Sequence, residues 1–253
     1  MWRELEDPVS GKMQRSYARL AGILFLGEIL IAFVGGSILS RVAGNGTFPE
    51  IAARIAASER LYRVGLGAVL IATLSSTLLA LALYVTLRPV NRPLAQLAMI
   101  FTLNDSFLAL IVRMCGFVRV HLYVSQKAVG PIAAETFVNL MRSIGSATEN
   151  LGGICFGVGS ALFFYLFFKS RYIPRLISTL GVCASVIWTG LYFANLIFPE
   201  EHALFQYVCF PPMALADIAT GLYLTIFAVR AGGSGVRSAM FSEERGFCRS
   251  GRA

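Results

Sequence analysis

The chain has 253 residues, of which 56% are hydrophobic and only 14% charged, and it carries a formal net charge of +8. So apolar a composition excludes an ordinary soluble globule and points to residence in a membrane. The positive charge does not signal nucleic acid, because most of it sits at the ends and in the joints between apolar stretches.

Residues 1–17 mix Glu4, Glu6 and Asp7 with basic side chains and read as a polar arm. A span needs about 20 apolar residues to cross about 30 Å of hydrocarbon. The first such stretch covers residues 18–39. It is too long for a signal-peptide core and lacks a small-residue cleavage site, so it is expected to stay as an anchor. Glu28 lies about ten residues into it, roughly 15 Å deep at 1.5 Å per residue. Mid-bilayer is where a carboxylate is most costly to place. Next, Thr47 and Glu50 have the spacing of a capping box, with Pro49 in the first turn, which predicts a short external amphipathic helix carrying Ile51 and Ile55 on one side.

The second span, 62–87, sets Ala68, Ala72, Ser76 and Ala80 at four-residue steps. Such a stripe of small side chains lets another helix approach closely, within the chain or from a second copy. Arg88, Pro89, Asn91, Arg92 and Pro93 then make a tight turn. The third span begins at Leu94 and is the most interrupted: Asn104 and Asp105 fall near its middle, with Arg113, Arg119 and His121 further on. Each charge in hydrocarbon costs roughly 2.5 to 3.5 kcal/mol on insertion scales, so this helix must be shielded or must line something polar. A second external amphipathic helix is expected over 131–144, with Ala133, Phe137, Leu140 and Ile144 on one face.

The fourth span, 151–168, carries Gly153 and Gly157, a second close-packing face. The joint Lys169, Ser170, Arg171, Tyr172, Ile173, Pro174, Arg175 leads to the fifth span, 176–198. The sixth, 205–229, is interrupted by Pro211 and Pro212 and contains Asp217. Residues 231–253 form a Gly-, Ser- and Arg-rich tail expected to be flexible. A weak internal repeat at an offset of 81 relates Tyr84 to Tyr165, Arg88 to Lys169 and Pro93 to Pro174.

These elements predict an all-α integral membrane protein, a six-transmembrane-helix bundle with two short external amphipathic helices, with 1–17 as an arm, 18–230 as the membrane domain and 231–253 as the tail. Fourteen of the 22 basic residues fall on one side of such a bundle. The positive-inside rule makes that side, and both termini, cytoplasmic. Of the five cysteines, Cys115, Cys155 and Cys209 share the outer half, which leaves one disulfide open; Cys183 and Cys248 do not. None has the spacing of a metal or redox motif.

Two stretches resemble a known family. One runs from Leu83 and Tyr84 through Arg88, Pro89, Val90, Asn91 and Arg92 to Leu94 and Ala95. The other has Phe156 and Gly157, then Tyr165, then Ser170 to Arg175. Both are similar to signature stretches of a large bacterial family of multi-helix membrane proteins, domain of unknown function 4386, over roughly residues 15–229. The resemblance implies a six-helix fold in the bacterial inner (cytoplasmic) membrane and brings no activity or cofactor.

Glu28, Asp105 and Asp217 come to similar depth on three spans and, with Asn104 and Arg113, form a candidate polar cluster. The functional reading is binding or transport of a small solute or of protons. The structural reading is a satisfied network in which Arg113 pairs with a carboxylate, although buried ion pairs add little net stability. The alternative function is a noncatalytic scaffold or sensor that works through the small-residue faces, with a homo-oligomer or another membrane protein as partner. No nucleophile motif, phosphate-binding glycine loop or metalloprotease motif is present, so no enzymatic activity is assigned. His121 and His202 fall outside the spans without ligand spacing, and no metal, haem or other cofactor is expected. The expected partners are the lipid bilayer and a small-molecule ligand, with no nucleic acid.

Overall fold

A computed structural model describes residues 11–125, 130–198 and 202–227, without the side chains at 11, 12 and 202–209. Seven helices follow one another: α1 (Gly11–Ala43), α2 (Phe48–Ala57), α3 (Glu59–Leu87), α4 (Arg92–Val124), α5 (Pro131–Ser170), α6 (Arg175–Ile197) and α7 (His202–Phe227). All but α2 are long and apolar enough to cross a membrane. No strand occurs among the described residues. The arm before residue 11, the tail from 231, Lys127, Glu200, Glu201, Cys248 and the side chains of His202 and Cys209 lie outside the described residues.

The helices overrun the apolar windows that announce them. α1 has 33 residues and α5 has 40, about 50 and 60 Å at 1.5 Å per residue. Hydropathy marks hydrocarbon thickness, whereas a helix ends only where caps or breakers end it. This is why the second amphipathic segment, expected as a separate helix over 131–144, is instead the first part of α5. Gly145 has the lowest helix propensity at that junction, and it is tolerated inside a long helix. α7 likewise stays helical through Pro211 and Pro212, as membrane helices do when neighbours satisfy the freed carbonyls.

The turns follow local chemistry. Pro93 sits in the first turn of α4, and the Asn91 side chain accepts from the Leu94 N–H at 3.1 Å. Before α2, the Thr47 N–H donates to Glu50 at 3.0 Å and the Thr47 side chain faces the Glu50 N–H in return, the expected capping box. Gly44, at φ 59°, lets the chain leave α1, and Arg54 donates to the carbonyls of Ala43 and Asn45, both at 3.0 Å. α5 ends at Arg171, which holds φ 56°. That left-handed conformation suits glycine and costs another residue roughly 1 kcal/mol or more. Arg171→Gly is therefore expected to raise the thermal midpoint of the purified protein by a few degrees; a lower midpoint would show that the arginine side chain outweighs the backbone strain.

Each span packs on the next in sequence, and α7 returns to α1, so the six spans close into a ring. Glycines set the close approaches. Gly22 of α1 lies against Gly221 and Thr225 of α7, Gly35 against the Gly65 carbonyl of α3, and Gly159 of α5 against Ala98 and Thr102 of α4. Both small-residue faces are used inside the chain. Ala68 meets α1 at Gly35, Ala72, Ser76 and Ala80 are buried, and Gly153 and Gly157 receive Tyr192 and Thr189 of α6.

One end of the ring is filled. Leu83, Leu87, Ala95, Phe164, Phe167 and Ile173 are buried there, beside the two basic turns. Gln14 ties α1 to this floor by donating to the Thr86 carbonyl at 2.9 Å and to the Tyr172 hydroxyl at 3.1 Å. At the other end, Ala52 and Ile55 of α2 pack with Tyr123 and Val138. The offset-81 units share their basic turns, but the first begins with the separate α2 and the second with a segment continuous with its span.

Candidate functional site

Between the filled floor and the α2 end lies a cavity of about 530 Å³, to which all six spans contribute. α1 supplies Glu28, α4 supplies Asp105 and Arg113, α5 supplies Glu149, and α7 supplies Asp217. Counting along the helices placed Glu28, Asp105 and Asp217 at one depth, and the ring turns their helices so that all three line this one space. Glu28 lies within electrostatic reach of both Asp217 and Asp105, with Ser76 beside it. Asp105 is within reach of Arg113 and Glu149. Its carboxylate comes close to α5 because Gly152 has no side chain: a Cβ there would stand 3.0 Å from Asp105 Oδ1.

Asn104 does not join them. It is exposed on α4 and is not part of the cavity wall. Adjacent residues on a helix point about 100° apart, and here Asp105 and Ser106 line the cavity while Asn104 is turned to the outer face of α4. The expectation that both belong to one cluster is corrected accordingly.

The structural reading of the cluster required Arg113 to be paired with a carboxylate. Among the described residues the only ion pair within 4.0 Å is Glu59 with Arg63, at 2.7 Å and away from the cavity. Arg113 Nε is buried without a hydrogen-bond partner. Among the described residues the cavity charges therefore face one another without an ion pair, and Glu28 has the Ser76 hydroxyl as its hydrogen-bonding neighbour.

A second, smaller cavity of about 160 Å³ adjoins the first, with Leu79, Leu83, Thr102, Ser160, Phe163 and Phe167 in its wall. Glu28, Ser76, Phe156 and Asp217 belong to both walls. Two carboxyls thus stand at a neck between a wide compartment and a narrow one that ends on the packed floor.

The large cavity also holds an aromatic group that sequence reasoning did not assemble. Trp188 of α6 has ring centroids of Phe156, Tyr192 and Phe210 at 5.5, 5.1 and 5.2 Å. Its indole N–H donates to the Gly153 carbonyl at 3.1 Å. The glycine face of α5 is what admits it, so the signal lay in the glycines opposite an aromatic helix. Glu149 was also missed; it precedes Gly152 and Gly153 by about one turn and faces the same way.

Cys115 and Cys155 are both free, so no disulfide joins them. Among the described residues no three His, Cys, Asp or Glu side chains are grouped so that they could hold a metal ion.

Six apolar helices closed around a polar and aromatic cavity define the class: a multi-pass helical membrane protein with an internal chamber. Residues 20–228 match the model of the family described as Domain of unknown function (DUF4386), and the chain belongs to that family, as the two joints suggested. No curated protein and no solved structure matches it.

Proposed function

We propose that the protein binds a small solute in the large cavity and passes it across the membrane by way of the neck at Glu28 and Asp217. The observation that supports this most is a chamber walled by all six spans whose carboxyls have no ion-pair partner among the described residues. Stability alone does not account for such groups, because an unpaired charge in low dielectric is destabilising. The faces that a scaffold would offer to partners are turned inward, against neighbouring helices of the same chain and the chamber.

On this reading the protein sits in the bacterial inner membrane with both termini cytoplasmic, since the basic turns flank the packed floor. α2 and the first turns of α5 then lie at the external surface, and the wide compartment is on that side. Single cysteines at Ala214 in the wide compartment or Ser160 in the narrow one, in an otherwise cysteine-free chain in proteoliposomes, test it. Ala214→Cys is expected to react with impermeant thiol reagents of either charge from the external face, and Ser160→Cys only from the cytoplasmic face or slowly from both. If both positions resist reagent from both faces, the chamber is closed and the reading fails.

A further inference from the structure

The chemistry of the chamber wall narrows the kind of solute, given that the chamber is a solute site. Four acids, Glu28, Asp105, Glu149 and Asp217, line the large cavity against one base, Arg113. The smaller cavity is lined by Glu28 and Asp217, with no basic residue in its wall. An anion entering this space meets like charge, and a neutral solute leaves the carboxyls without a counter-charge. A cation removes both costs, because a carboxylate taken from water is stabilised mainly by an opposite charge close to it.

The neutral polar groups point the same way. Thr73 and Ser106 in the large cavity, and Thr102 in the small one, each donate their hydroxyl hydrogen to a carbonyl one turn earlier, all at 3.0 Å. Their remaining hydrogen-bonding capacity is as acceptors. The Trp188 N–H is committed to Gly153. Apart from Arg113, which brings N–H donors to one side of the large cavity, the wall therefore offers mainly acceptors, and the Glu28 and Asp217 end suits a ligand with N–H groups.

The apolar part of the wall specifies the rest of the molecule. The Trp188, Phe156, Tyr192 and Phe210 rings form one surface of the chamber, and aromatic faces attract cations as well as apolar groups. Phe33 of α1 and Phe210 of α7 line the chamber while being 72% and 52% exposed. They belong at once to the chamber and to the outer surface of the ring, on the two helices whose closest approach is lower down, at Gly22 and Gly221. A solute with an apolar body can reach the chamber from the bilayer along this seam.

We infer that the chamber takes a lipophilic organic cation, a protonated amine with an apolar body, its ammonium held between Glu28 and Asp217 and its body against the Trp188 cluster.

Three rigid probes of one shape separate the outcomes: 1-adamantylammonium, adamantane-1-carboxylate and 1-adamantanol, which are positive, negative and neutral. Trp2→Phe leaves Trp188 as the only tryptophan, and its fluorescence in the purified full-length chain in nanodiscs reports occupancy. The ammonium probe is expected to change the signal saturably with an apparent Kd at least ten-fold lower than the other two. Glu28→Gln or Asp217→Asn is expected to weaken it at least ten-fold while leaving the alcohol unchanged. If the carboxylate or the alcohol binds as tightly as the ammonium, the cation assignment is overturned and the solute chamber stands. If no probe gives a saturable change, both readings fall. The comparison of probes on the Trp2→Phe chain does not depend on any cavity variant folding.

Discussion

Leucine at Gly22 is expected to destabilise the purified protein by about 3 kcal/mol, the upper end of the usual cost of overpacking. A Cβ at this position would lie 2.6 Å from the Thr225 backbone nitrogen and 2.8 Å from the Gly221 carbonyl oxygen. Backbone atoms cannot swing aside as a side-chain tip can, so α7 must move away from α1. That contact is the one that closes the ring. Gly27→Leu on the same helix is the control, since a Cβ at Gly27 meets nothing within 4 Å. Thermal unfolding in detergent should separate the two variants clearly. Equal midpoints would mean that the α1–α7 seam is not held by close backbone approach.

Asp217→Asn is expected to act in the opposite direction on stability while weakening the site. Asp217 is half-buried and no ion pair reaches it among the described residues. Removing its charge is expected to stabilise the fold by about 1 kcal/mol or more, as replacement of uncompensated buried charge commonly does. Glu28→Gln should behave similarly. If either variant instead unfolds several degrees earlier than the parent, its carboxyl belongs to a network that supports the bundle, and the structural reading of the cluster gains what the functional one loses.

The spans were legible because their cause is one-dimensional. Twenty consecutive apolar residues are visible in a sequence whatever the fold, and the capping box at Thr47 and the proline-containing turn at residues 88–93 are local. The common depth of Glu28, Asp105 and Asp217 is likewise a matter of counting. What counting could not supply was rotation about each helix axis. Asn104 and Asp105 have the same depth and differ only in azimuth, and the azimuth is set by how α4 leans on Gly152 and Gly159 of α5. The Trp188 cluster was hidden for the same reason: it draws on three helices, and nothing local ties Phe156 to Phe210. The end of the second amphipathic segment was misplaced because the change from a half-polar to an apolar stretch alters a helix's surroundings without interrupting its hydrogen bonds.

The unbroken course of α5 has a mechanical consequence. Its 40 residues run from Pro131, beyond the chamber, past Glu149 and Phe156 in the wall, to Phe163 and Phe167 on the floor. The helix has no proline after its first residue and stays helical over its whole length. One hydrogen-bonded element thus joins rim, chamber wall and floor, so the three levels share a single backbone support.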